Sequence, residues 1–261
     1  MRILLTNDDG IQAVGLRALY HAFREAGHEV RVVAPVTEQS AVGHAITISL
    51  PLRVKEFKED GFEGLGVYGT PTDCVKLALT ALLDPPPDVV VSGINAGANV
   101  GVDLLYSGTV SAATEGAFMG YPAIAFSHDC FNPVDLTEQG RYAARLLPTL
   151  PWGDLPAKCV LNLNFPDLPV AECKPLILCR HTRVMWEDSY MHRLDPRGRP
   201  YYWLTGEIPP EKLSPDTDRA LLTAGHITLT PLKFDFTDRD TLALLERRMI
   251  VAAPETDASP R

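Results

Sequence analysis

Asp88-Val89-Val90-Val91-Ser92-Gly93-Ile94-Asn95 is the stretch whose reading decides the fold. A strand with one wet face alternates apolar and polar residues. Three consecutive valines leave no wet face, which is the pattern of a strand in the middle of a parallel sheet, covered on both sides. Outward from it, short β-branched runs alternate with helical periodicity, the signature of an α/β chain. Ile3 to Thr6 reads as a first strand, and Leu16, Leu19, Tyr20 and Phe23 form the apolar stripe of a helix capped by Gly27. Glu29 to Ala34 is a second strand stopped by Pro35. Apolar segments at Ile46 to Leu50, Leu52 to Phe57 and Leu65 to Tyr68 are expected to form a local antiparallel excursion.

Thr70-Pro71-Thr72-Asp73 is a helix start, with Thr70 as N-cap and Asp73 three residues on, and Pro85-Pro86-Pro87 ends the segment. Residues from Gly93 to Gly108 read as a long Gly- and Asn-rich loop, followed by a helix of small residues from Thr109 to Met119. Ala123 to Ser127 and Cys159 to Asn164 are further strands, with a helix from Leu136 to Leu147 between them. Beyond Pro166 the alternation breaks down. The aromatics Trp186, Tyr201, Tyr202 and Trp203 around the turn Asp195-Pro196-Arg197-Gly198 predict an extended hairpin reaching away from the core. A strand from His226 to Leu229 and a helix around Thr241 to Arg248 close the fold, and Pro254 to Arg261 reads as a frayed tail.

With 261 residues, 46% of them hydrophobic, the chain is long enough for one sizeable core, and its formal charge of −9 offers no basic field for a polynucleotide or an anionic membrane surface. The five cysteines are odd in number and lack zinc-finger or CxxC spacing, so they read as reduced thiols and the cytoplasm is the expected location. No leader pattern is seen and no apolar run approaches the roughly 18 residues of a membrane span.

Four loops at expected strand ends carry chemistry. In Asn7-Asp8-Asp9-Gly10 both carboxylates can turn toward one hard divalent cation, although solvated loop aspartates or a helix cap would also place them there. Ser40 offers a neutral oxygen, as turn serines commonly do. Within Ser92 to Asn99, Asn95 offers a carbonyl oxygen while Gly97 and Asn99 border the space where backbone approaches a ligand; a plain Gly/Asn turn is the alternative. Ser107, Gly108 and Thr109 begin the helix of small residues and provide either an anion site or an ordinary cap. Together these form a one-metal phosphoester hydrolysis site, in which Asp8 or Asp9 also moves a proton.

On these residues the chain resembles the SurE survival-protein family of metal-dependent nucleotidases. The resemblance rests on Asn7 to Gly10, Ala34-Pro35 with Ser40, Gly69 to Cys74, Ser92 to Gly97, Tyr106 to Val110, Thr217-Asp218 and Gly225 to Leu232, and it spans most of residues 1 to about 240. It implies an α/β fold: a Rossmann-like, mostly parallel three-layer sheet with a C-terminal β-hairpin extension used in oligomerisation. The expected organisation is a catalytic core over 1–180, a hairpin segment over 181–225, a closing strand and helix over 226–250, and a tail over 251–261.

The implied activity is hydrolysis of nucleoside 5′- and 3′-monophosphates, with some members trimming short polyphosphate. The implied ligands of one Mg or Mn ion per subunit are Asp8, Asp9, Ser40 and Asn95, with Ser107, Gly108 and Thr109 facing the phosphate. The implied assembly is a homodimer or homotetramer exchanging C-terminal segments through the hairpin, about Arg183 to Ile208. Ala41 stands where many members carry Gly, a difference that matters only where φ must be positive. His44 reads as a loop histidine, and Lys and Arg are scarce near the motifs.

Rival readings fail on spacing. A phospho-receiver needs an aspartate at the end of the central strand, where Ser92-Gly93-Ile94-Asn95 stands, and a haloacid-dehalogenase-type phosphatase needs a second aspartate two positions after the first, where Asp8 and Asp9 are followed by Gly10 and Ile11. A nucleotide-binding module without turnover remains open, separable by assaying phosphate release.

Overall fold

The computed structural model describes residues 1–59 and 61–248. The tail expected over 251–261, and the last two residues of the closing segment, lie outside the described residues. The elements run β1 (Arg2–Thr6), α1 (Val14–Glu25), β2 (Glu29–Pro35), β3 (Val54–Glu59), β4 (Phe62–Val67), α2 (Pro71–Leu77), β5 (Val89–Ala96), α3 (Gly108–Phe118), β6 (Ala123–His128), α4 (Thr137–Leu146) and β7 (Cys159–Phe165). They continue with β8 (Lys174–Leu178), β9 (Glu187–Leu194), β10 (Pro200–Glu207), α5 (Asp218–Thr223), β11 (His226–Lys233) and α6 (Arg239–Arg248). Nine strands form one sheet in the order β3-β4-β2-β1-β5-β6-β7-β11-β8, and β9 with β10 forms a separate antiparallel hairpin. The six strands from β4 to β7 in that order are mutually parallel, whereas β11 runs antiparallel to β7 and β3 to β4.

The valine run now has its physical reason. Val89 and Val91 pack with Ile3 and Leu5 against Leu16, Leu19 and Phe23 of α1 and Ala143 of α4. Val90 and Leu4 face the opposite way, against Val75 of α2 and Val110, Ala113 and Ala117 of α3. Burial on both faces makes three layers, and successive residues must all be apolar. The small residues of α3 let it lie close to the sheet: a Cβ on Gly116 would sit 2.7 Å from a methyl of Val90.

Several expectations are corrected. Ile46 to Leu50 forms no strand: Thr47 within it is held by Asp73, which accepts from its N–H (2.9 Å) and hydroxyl (2.6 Å), and the preceding Ala45 carbonyl accepts from Thr70 Oγ1 (2.7 Å). The excursion is antiparallel only within β3–β4, since β4 joins the main sheet parallel to β2. β5 does not end at Ser92; after an irregularity it resumes pairing with β6 through Asn95 and Ala96. β8 and α5 were not foreseen. Pro175 lies inside β8, which is tolerated because β8 is an edge strand, and α5 is too short to show an apolar stripe.

Candidate active site

In a doubly wound sheet, ligands bind at the carboxyl ends of the strands where the chain reverses its direction of winding. Here the chain goes from β1 outward to β2 on one side and returns to β5 on the other, so the switch point lies between β1 and β5. The loop after β1 carries Asp8 and Asp9, and the end of β5 carries Asn95. A cleft of about 1060 Å³ opens there, and Asp8, Asp9, Ser40 and Asn95 line it together. Gly97, Asn99 and Ser107 border the same space.

Hydrogen bonds hold the first loop rigidly. Asn7 Nδ2 donates to the Gly10 carbonyl at 2.9 Å, closing the turn. The Gln39 N–H donates to the Asp8 carbonyl at 2.7 Å, which ties the Ser40 loop to the aspartate loop. The Ala96 N–H donates to Asp9 Oδ2 at 3.0 Å, tying the end of β5 to it as well. Asn95 Nδ2 donates to the Gly97 carbonyl at 2.8 Å, so the amide's carbonyl oxygen is its uncommitted polar atom.

The helix start at Ser107 to Thr109 also meets the aspartate loop. The Thr109 hydroxyl donates to Asp8 Oδ1, fastening the aspartate to the start of α3. Thr109 is fully buried, and a Cβ on Gly108 would sit 2.7 Å from the Asp8 Cβ, so glycine there permits the close approach. Ser107 Oγ accepts from the Val110 N–H at 3.0 Å as the N-cap, with its hydroxyl proton left to donate. Asn99 is bound into the sheet ends: its N–H donates to Asn164 Oδ1 (2.8 Å) and its Nδ2 to Ser127 Oγ (2.8 Å). Ser40 is exposed, and its hydroxyl donates to Glu38 Oε1 at 2.6 Å.

The electrostatics are unbalanced. Burial raises the Asp8 carboxyl above its ordinary range, although the surrounding hydrogen bonds oppose this. Burial, then repulsion from Asp8, pushes Asp9 up to about 7, with Glu38 adding to the shift and the Ala96 N–H opposing it. Among the described residues no Lys, Arg or His forms a salt bridge with either aspartate. A cation fits this deficit, and an all-oxygen donor set suits a hard one.

Sequence reasoning missed other residues of the cleft. Arg219 lines it and pairs with Asp129 at 3.2 Å, despite the scarcity of cations near the motifs; the signal was its position directly after Thr217-Asp218. The hairpin strands are exposed as expected, yet the hairpin does not simply reach away. Trp186, Leu204 and Ile208 line the cleft, and Trp186 Nε1 donates to Asp103 at 2.8 Å. His44 also does more than expected, since its Nε2 lies 3.0 Å from Glu115 Oε2, joining the Ser40 loop to α3. Ala41 adopts φ +57°, so the position does require the left-handed backbone that Gly would supply.

The comparisons with known proteins agree with this architecture. A protein of Maridesulfovibrio salexigens named 5'-nucleotidase SurE is 68% identical over 247 residues, covering 95% of this chain and 98% of its own. One of Solidesulfovibrio magneticus with the same name is 67% identical over 249 residues, covering 95% and 98%. The crystal structure of the SurE protein from Aquifex aeolicus matches with a TM-score of 0.82 at 33% identity, covering 95% of this chain and 99% of that one. The family model described as Survival protein SurE matches residues 3–188, the segment that carries the paired aspartates, both glycine-rich loops and the start of the hairpin, so this chain belongs to the SurE family.

Proposed function

We propose that this protein is a metal-dependent phosphomonoesterase that hydrolyses nucleoside 5′- and 3′-monophosphates to nucleoside and phosphate, with short polyphosphate as a further substrate. The observation that carries the reading is a buried Asp8 beside Asp9, with no cationic side chain paired to either among the described residues, at the switch point of the sheet. The relatives' name, 5'-nucleotidase, supports the substrate class.

Asp8, Asp9, the Asn95 carbonyl oxygen and Ser40 Oγ would hold one Mg or Mn ion. When bound, such a cation neutralises charge on the phosphoryl oxygens and lowers the pKa of the attacking water. Asp8, fastened by the start of α3, acts as a fixed ligand. Asp9 has one oxygen engaged by Ala96 and the other without a hydrogen-bond partner among the described residues, and it is the residue suited to exchange a proton with the water or the leaving hydroxyl. The Ser107 hydroxyl, free to donate, would face the phosphate. Trp186 and Leu204 offer apolar surface to the nucleoside.

The exposed aromatics of β9 and β10, among them Tyr202 and Trp203, support a homodimer or homotetramer in which the hairpin is the exchanged segment. No described helix is long and apolar enough to cross a membrane, and the working location is the cytoplasm.

Phosphate release from a panel of 5′- and 3′-nucleoside monophosphates, with Mg or Mn and with chelator, tests the activity. Metal-dependent release from the monophosphates is expected. Tight nucleotide binding without release would instead indicate a binding module.

A further inference from the structure

A second donor cluster lies further along the sheet from the aspartates, at the ends of β6 and β7, two and three strands from β1. His128 closes β6, Cys130 follows in the turn, and Asp167 lies two residues beyond β7; one donor atom from each lies within 4.8 Å of the others. The turn is fixed by backbone hydrogen bonds from the Cys130 N–H to the His128 carbonyl (2.8 Å) and from the Asp129 N–H to the Phe165 carbonyl (2.9 Å). His128 is 5% exposed, and its Nδ1 is buried without a hydrogen-bond partner. A buried ring nitrogen left unpaired is destabilising, so it calls for a ligand.

We propose that His128, Cys130 and Asp167 form a second cation site, selective for a borderline-soft divalent ion of the zinc class and separate from the hard-cation site of the aspartate pair. Imidazole with thiolate selects such ions, whereas Mg and Ca prefer oxygen donors. Three protein donors leave a fourth tetrahedral position for water. Tetrahedral bonds of about 2.0–2.3 Å set donors about 3.3–3.8 Å apart, inside the 4.8 Å within which these three already lie.

The site would brace the wall of the cleft. The His128 carbonyl accepts from the Gly97 N–H at 2.9 Å, and a Cβ on Gly97 would sit 2.9 Å from the Phe131 ring. The same turn carries Asp129, the partner of Arg219. A cation there positions the wall and touches no substrate.

Titration of the metal-free full-length protein with Co²⁺, a spectroscopic substitute for Zn²⁺, tests this. The expected result is a near-ultraviolet thiolate-to-cobalt band that saturates at one equivalent, is displaced by Zn²⁺ and persists in excess Mg²⁺. Cys130→Ser should remove the band. Loss of contacts beyond the first ligand shell already weakens binding about tenfold or more, so Asp167→Asn should weaken Zn²⁺ binding by at least that factor. Absence of the band in the wild-type protein, or its survival in folded Cys130→Ser, overturns the proposal. Should either variant misfold, alkylation of wild-type Cys130 mapped by mass spectrometry decides: stoichiometric Zn²⁺ should slow it at least about tenfold, and an unchanged rate rejects the site.

Discussion

At the residue scale, Ala41 is a departure with a measurable consequence. An L-residue in the left-handed region costs about 1–2 kcal/mol, and Gly removes that strain while raising the unfolded chain's entropy by an amount worth about 0.5–1 kcal/mol. With φ at +57°, Ala41→Gly should therefore raise stability by about 0.5–1 kcal/mol. Denaturant unfolding checks this, and a loss of stability would show that the Ala41 methyl makes contacts worth more than the strain. The same reasoning explains what was legible here. The place of Ala41 was visible as a residue standing where Gly is usual, but its φ depends on how the loop docks: the Gly43 N–H on the Tyr106 carbonyl (3.0 Å) and the Gln39 N–H on Asp8. Such long-range bonds leave no local pattern.

At the scale of elements, the loop that carries Ser40 is anchored through Glu115 of α3. The Glu115 carboxylate bonds His44 at 3.0 Å and Lys76 of α2 at 2.5 Å, and its side chain is 9% exposed. These hydrogen bonds, His44's first, outweigh burial and hold the Glu115 pKa below its ordinary value of 4.5. A depressed folded pKa means that the contribution to stability is present above pH 4.5 and is lost as pH falls through the lower folded value. Glu115→Gln should cost about 1–3 kcal/mol at neutral pH, discounted toward the lower end because Lys76 is half-exposed, and the cost should shrink in acid. Parallel denaturant curves at neutral and acidic pH would show it; a cost independent of pH would mean that the carboxylate charge plays no part. Sequence periodicity identified β1, β2, β5, β6 and β7 because burial on both faces writes itself into consecutive apolar residues. It missed β8, whose Pro175 is acceptable because β8 is an edge strand, and it mistook Ile46 to Leu50 for a strand where Thr47 bonds Asp73 and no ladder forms among the described residues.

At the scale of the whole molecule, the paired acids and the glycine-rich loops were readable because a switch-point site draws its residues from short segments at strand ends. Arg219 and Trp186 were harder to see. They reach the cleft from the irregular C-terminal third, where placement depends on buried Asp218 accepting from the N–H groups of Gly101 (2.9 Å) and Thr182 (2.8 Å). The hairpin makes a separate prediction. With Tyr202 and Trp203 each 61% exposed, the proposed hairpin-mediated assembly predicts that the double change Tyr202→Glu and Trp203→Glu shifts sedimentation toward monomer, and an unchanged sedimentation would reject the hairpin as the interface.

The account rests on the aspartate pair. Its most direct test is the rate of phosphate release from a nucleoside monophosphate by Asp8→Asn at saturating Mn²⁺, with folding verified by circular dichroism. Loss of cation-dependent catalysis should lower the rate by roughly 10³-fold or more, about 4 kcal/mol of barrier. A folded Asp8→Asn protein that releases phosphate at the wild-type rate would contradict it.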